Sequence, residues 1–91
     1  MANELSEWKG KRLHFVGIGG AGMSGLARIA LSHGIAVSGS DAKDSTVLSA
    51  LEALGADVHA AHLAPQVDGA DFVIYSTAIN QNNVELVRAC E

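Results

Sequence analysis

The sequence contains one cysteine, Cys90, and one proline, Pro65, and the scarcity of both is informative. A lone cysteine leaves no disulfide to form within the chain, so the pattern is not that of a disulfide-stapled secreted domain, and a reducing cytoplasm is the expected setting. Aromatic side chains number four, Trp8, Phe15, Phe72 and Tyr75, so a core must be built from Ala, Val, Leu and Ile. That composition suits helices laid closely on a sheet. Cations are also few, six Lys+Arg against ten Asp+Glu for a net charge of −4, and they are scattered. Nucleic-acid and acidic-membrane partners are therefore not expected. No stretch approaches the ~18 apolar residues of a membrane span, and the first residues lack the basic start and apolar run of a signal peptide. With 48% hydrophobic and 18% charged residues, the 91-residue chain has apolar material for one folded core and lies far from the composition of disordered segments.

What the sequence does have is glycine, ten residues of it, and they cluster. Residues 1–11 form a polar lead with one large apolar residue, Trp8, and residues 12–91 read as a single domain. The run Leu13 to Ile18 is short and mostly apolar and flows into glycines, as a buried strand opening a tight turn does. From Met23, the apolar residues Met23, Leu26, Ala27, Ala30 and Leu31 recur at helical spacing, with Gly34 as a C-terminal stop. The alternation continues: a strand over Ile35 to Ser38, a helix over Ser45 to Leu54 stopped by Gly55, and a strand near Asp57 to Ala61. Pro65 starts a brief helical turn, and the apolar run Phe72 to Tyr75 reads as a strand covered on both faces. A last helix follows with Asn82 as its N-cap and Glu85 in a capping box. This rhythm predicts a Rossmann-like α/β fold, a doubly wound parallel sheet of about four strands in the order 3-2-1-4 with helices on both faces. A fifth strand is expected beside the fourth, beyond the end of the chain. The fourth is then an apolar edge, and it predicts self-association.

Gly17-Ile18-Gly19-Gly20-Ala21-Gly22 fits G-x-G-x-x-G through Gly17, Gly19 and Gly22, between a predicted strand and a predicted helix. In that context Gly17 permits the sharp turn, Gly19 lets the backbone approach a diphosphate, Gly22 lets the helix press on the strand, and the helix N-terminus offers free N–H groups. The plain alternative is a glycine turn that only packs a helix on a sheet. Asp41 follows the second strand, 19 residues after Gly22, where a carboxylate can accept hydrogen bonds from a ribose or base edge, the arrangement of an NAD site. The plain alternative is a cap or turn ahead of the next helix, with Asp44 and Ser45. Ser76-Thr77-Ala78-Ile79-Asn80 follows the fourth strand on the ligand-facing edge of such sheets, as His62 follows the third. His14, inside the first strand, reads as a satisfied core histidine, while His33 and His59 have no special context. No histidine has metal-ligand spacing to another or to Cys90, so no metal site is expected. A G-x-x-x-x-G-K-[ST] phosphate loop, a Ser/His/Asp elbow and a paired Cys motif are all absent.

The stretch His14 to Ala27, His-Phe-Val-Gly-Ile-Gly-Gly-Ala-Gly-Met-Ser-Gly-Leu-Ala, resembles the N-terminal domain of the Mur ligase family of bacterial peptidoglycan synthesis, nearest its alanine-adding branch. Ser38-Gly39-Ser40-Asp41, Leu51 to Ala56 and Ser76-Thr77-Ala78-Ile79 fall in the family's order and approximate spacing, so the similarity covers roughly residues 12–90. Val84 stands where the family often has proline. The chain ends where family members run on into a central ATP-binding domain and a C-terminal domain, which implies an isolated domain, inactive by itself.

The resemblance implies a full-length cytoplasmic enzyme that uses ATP and magnesium to activate the carboxyl of UDP-N-acetylmuramate as an acyl phosphate, which L-alanine then attacks. In this sequence it implies Gly19, Gly20, Ala21, Gly22, Met23 and Ser24 for the diphosphate and Ser40 and Asp41 for the nucleoside. His62, Ser76, Thr77 and Ala78 are further candidates for the same pocket. No residue here matches the family's catalytic lysine or metal ligands. The competing expectations are an NAD-binding module of a dehydrogenase or regulatory protein, and a scaffold that binds no nucleotide.

Overall fold

The computed structural model describes residues 10–76, 79 and 82–90. Trp8 of the lead and Thr77 and Ala78 of the candidate pocket lie outside the described residues. The elements run β1 (Arg12–Val16), α1 (Ala21–Ser32), β2 (Ala36–Ser40), α2 (Thr46–Ala53), β3 (Asp57–His59), a 3-10 turn (Ala64–Val67), β4 (Phe72–Tyr75) and α3 (Val84–Ala89). The four strands form one parallel sheet in the order β3-β2-β1-β4, the expected arrangement.

Side chains alternate across a strand, so each strand here divides its residues between two different environments. Leu13 and Phe15 of β1 and Val37 of β2 join Ala27 and Ala30 of α1 and Leu48 and Leu51 of α2 in one apolar cluster. His14 of β1 and Ser38 and Ser40 of β2 point the other way, toward α3 and the 3-10 turn. One face of the sheet is thus a dry core; the other has a polar centre bordered by buried Val67 and Leu86. Arg12 fixes the 3-10 turn beside this second face, its Nη2 donating to the carbonyls of Gln66 (3.1 Å) and Asp68 (2.8 Å). Arg88 of α3 grips the Asp68 carboxylate with two bonds, Nε to Oδ1 at 2.9 Å and Nη2 to Oδ2 at 2.8 Å.

Several local expectations are corrected. β2 extends to Ser40, two residues beyond the predicted end, because its pairing with β1 continues through Phe15 with Gly39 and Val16 with Ser40. Ladder hydrogen bonds there override the weak strand preference of glycine and serine. β3 ends at His59, short of Ala61, and α1 begins two residues before Met23. The N-cap of α3 is Asn83 rather than Asn82: its side chain accepts the Glu85 N–H at 2.9 Å, and Glu85 turns inward instead of closing a capping box. Val84 is then the first helical residue, a position where proline is equally at home. The tightest glycine contact among the described residues is at Gly39, where an added Cβ would lie 2.4 Å from Ile18 Cδ1; at Gly22 it would meet nothing within 4 Å. β4 is not covered along its length, since Phe72 and Tyr75 are 43% and 49% exposed. No helix among the described residues is long and apolar enough to cross a membrane.

Candidate functional site

The loop from Gly17 to Gly20 joins β1 to α1 at the carboxyl edge of the sheet, beside the strand order's reversal point between β1 and β4, where open α/β sheets place their ligands. Gly17 has φ +83°, a left-handed conformation that glycine adopts without strain, and it turns the chain out of the strand. The N–H groups of Gly17 and Ile18 both donate to the Ser40 carbonyl, at 2.8 and 2.9 Å, and that of Gly20 returns to the Gly17 carbonyl at 3.1 Å. Ser24 N–H makes the first helical bond, to Gly20 O at 2.8 Å. Gly20 is the N-cap and supplies no side chain. The N–H groups of Ala21, Gly22 and Met23 are thus the helix's own unfilled donors, at the positive end of its dipole. They form a backbone cradle for an anion that needs no lysine.

Asp41 follows β2 directly, and its Oδ2 accepts the Gly19 N–H at 2.9 Å while Oδ1 accepts the Lys43 N–H at 3.3 Å. It does not cap α2; Ser45 does, accepting the Leu48 N–H at 3.4 Å. A Cβ at Gly19 would stand 2.8 Å from Asp41 Oδ2, so the bare glycine is what admits the carboxylate. Ile79, in the loop after β4, closes over the turn: its Cδ1 lies 2.8 Å from where a Gly17 Cβ would be. The loops after β1, β2 and β4 therefore meet at one edge. Gly19 to Ser24 and Asp41 line that edge; the Ser24 hydroxyl bonds back to Ala21 O at 3.1 Å. Ser76 is the first residue after β4.

Ser40 and His62 are placed differently. The Ser40 side chain is fully buried beneath the loop and donates to Glu85 Oε1 at 2.8 Å. Its hydroxyl has one proton, so the 2.8 Å contact with His62 Nδ1 is a bond that the imidazole N–H donates. His14, equally buried, contacts Ser38 Oγ through Nδ1 at 2.8 Å and Glu85 Oε1 through Nε2 at 2.5 Å, as a satisfied core histidine should. Glu85 Oε2 accepts from Leu63 N–H at 2.9 Å and Gln66 Nε2 at 3.1 Å. Burial works to raise the Glu85 pKa, but the bonds from His14, Ser40 and Leu63 prevail and hold it below the usual carboxylate value. Sequence reasoning missed Glu85 as a buried group. The available signal was alternation: Leu13-His14-Phe15 and Val37-Ser38-Gly39-Ser40 set three polar residues on one face, which demands a polar partner there.

Comparison with known proteins agrees with this architecture. The family model "Mur ligase family, catalytic domain" matches residues 12–91. The UDP-N-acetylmuramate-L-alanine ligase of Renibacterium salmoninarum is 65% identical over 75 residues, covering 82% of this chain and 16% of that protein. The crystal structure of the UDP-N-acetylmuramate-alanine ligase of Thermotoga maritima superposes with a TM-score of 0.82 at 38% identity, covering 87% of this chain and 18% of that one. A murein peptide ligase from Psychrobacter arcticus does so at 0.76 and 27%, covering 87% and 17%. The chain thus spans less than a fifth of the length of these relatives. The family match over almost the whole chain, joined to the glycine loop at the sheet's carboxyl edge, shows that the chain belongs to the Mur ligase family.

Proposed function

We propose that residues 12–91 are the N-terminal, UDP-N-acetylmuramate-binding domain of a ligase that joins L-alanine to UDP-N-acetylmuramate in peptidoglycan synthesis. The observation that carries the reading is the cradle of Gly19 to Ser24, with Asp41 over it, in a chain similar to relatives that bear that ligase's name. The diphosphate lies against the N–H groups of Ala21, Gly22 and Met23, and Asp41 exchanges its Gly19 bond for, or shares it with, the nucleoside. Ser76, the first residue after β4, and Thr77 and Ala78 are proposed as further residues of the same pocket, whereas His62 bonds to Ser40 beneath the loop. The whole enzyme works in the cytoplasm with ATP and magnesium, which belong to its other domains. This sequence has no G-x-x-x-x-G-K-[ST] loop, and the described residues contain no group of three metal-ligating side chains, so no residue is assigned to either cofactor.

The NAD-binding alternative rests on Asp41 beside the same glycine loop, and the named relatives are ligases. Calorimetric titration of the purified chain with UDP and, separately, NADH tests the choice. UDP binding tighter than NADH is expected; the reverse order returns the domain to the dinucleotide class. Incubated with UDP-N-acetylmuramate, L-alanine, ATP and magnesium, the chain is expected to form no product above a contaminant control.

A further inference from the structure

The buried cluster beneath the glycine loop is joined to that loop through Ser40, by a hydrogen bond to its side chain on one side and by hydrogen bonds to its carbonyl and to the next residue on the other. Glu85 Oε1 accepts the Ser40 hydroxyl at 2.8 Å across 45 residues of sequence. The Ser40 carbonyl holds the N–H groups of Gly17 and Ile18, and the next residue, Asp41, holds that of Gly19. Three consecutive N–H groups of the loop are therefore fixed by two consecutive residues, and the first of these is anchored from α3. Resting on the UDP reading above, we propose that Glu85 is a positioning residue for the nucleotide: acting through Ser40, it fixes the glycine loop in the shape that receives the diphosphate.

The directions of the bonds make the role specific to a carboxylate. Glu85 has no exposure and four donors, His14 Nε2 and Ser40 Oγ on one oxygen and Leu63 N and Gln66 Nε2 on the other. Ser40 spends its one proton on Glu85 and accepts from His62 Nδ1, so its side chain is held from both sides. An amide at position 85 keeps the shape but must turn an NH2 group toward one pair of donors. If it faces Ser40, the hydroxyl must turn to accept, a neutral bond replaces the charge-assisted one and His62 must change tautomer to keep its own; if it faces Leu63 and Gln66, the strain falls on the segment that carries His62, the other hold on Ser40. A mere buried strut predicts lost stability with unchanged affinity. A positioning role predicts that affinity falls in chain that is still folded.

The test uses Glu85→Gln and, as a comparison, Gln66→Ala, which removes a donor from the same carboxylate, and a bond to the Ala61 carbonyl, while leaving both bonds of the Ser40 hydroxyl in place. UDP affinity is measured by calorimetry at a temperature where thermal melts show each variant folded, and the amide resonances of Gly17, Ile18 and Gly19 are followed without ligand. Glu85→Gln is expected to weaken UDP binding about tenfold, the size of one charge-assisted hydrogen bond, and to shift the three amides. Gln66→Ala is expected to lower the melting temperature and leave affinity within about twofold. A folded Glu85→Gln chain that binds UDP as the unsubstituted chain does overturns the proposal, as does equal weakening by both variants. Should Glu85→Gln not fold, Ser40→Ala cuts the same link and leaves Glu85 three of its donors; unchanged affinity in that variant overturns the proposal equally. Failure of UDP to bind the unsubstituted chain contradicts the UDP reading instead. In that case the ligand-free amide shifts alone decide whether Glu85 positions the loop.

Discussion

Asp41 and Gly19 are a matched pair. The carboxylate reaches the loop N–H because position 19 has no side chain, and removing either partner acts on the ligand in a different way. Asp41→Ala is expected to weaken UDP binding by about 1.5–3 kcal/mol, the cost of losing a hydrogen bond to a charged acceptor. Calorimetry checks it, and an unchanged affinity reduces Asp41 to a strut for the loop. Gly22 and Gly39 separate binding from folding. A methyl at Gly22 meets nothing, so Gly22→Ala is expected to keep or slightly raise stability, by up to about 1 kcal/mol from helix propensity, while it crowds the diphosphate and weakens UDP. Gly39→Ala drives a Cβ into Ile18 and is expected to cost about 1–3 kcal/mol of stability in chemical denaturation. Equal denaturation midpoints for the two variants would contradict the packing described here.

Among the elements, the strand-turn-helix from β1 to α1 was legible because everything that makes it lies within some twenty consecutive residues: an apolar run, glycines, then a helical stripe. β2 was less so. Its second half, Ser38-Gly39-Ser40, has poor strand propensity and is a strand only because β1 and β3 pair with it. α3 shows the limit most plainly, for the Asn82 to Glu85 spacing satisfies a local capping rule, whereas the partner that captures Glu85, His14, is 71 residues distant. That tie also gives α3 a pH dependence. The folded-state pKa of Glu85 lies below its ordinary value of 4.5, so the stabilisation is fully present above pH 4.5 and is lost as pH falls through the folded value. Denaturation midpoints measured from pH 7 downward are expected to fall for the unsubstituted chain more steeply below 4.5 than for Glu85→Gln. Parallel curves would mean that Glu85 carries no such linkage.

At the scale of the whole molecule, the outward side of β4 differs from the rest of the sheet. A groove of about 730 Å³ runs between β4 and α3, lined in part by Phe72, Val73, Tyr75, Leu86 and Val87, and lies away from the glycine loop. Phe72, Tyr75 and Val87 are each roughly half exposed, and among the described residues β4 pairs with β1 alone. Such an edge favours association with another chain. Light scattering over a hundredfold range of concentration is expected to show a mass rising above 9.4 kDa; a constant mass contradicts the expectation. The sequence made the apolar run visible, but which of its ends stay exposed depended on elements packed from elsewhere.

The central claim is that the backbone between Gly19 and Ser24 holds the diphosphate of a uridine nucleotide, with Asp41 meeting its nucleoside. Amide chemical-shift mapping during a UDP titration addresses it most directly, because it reads each donor of the cradle separately. The account predicts that the largest saturable shifts fall on Gly19 to Ser24 and Asp41, with smaller ones in the segment after β4. Saturable shifts confined to the groove between β4 and α3, with the glycine loop unmoved, would contradict it.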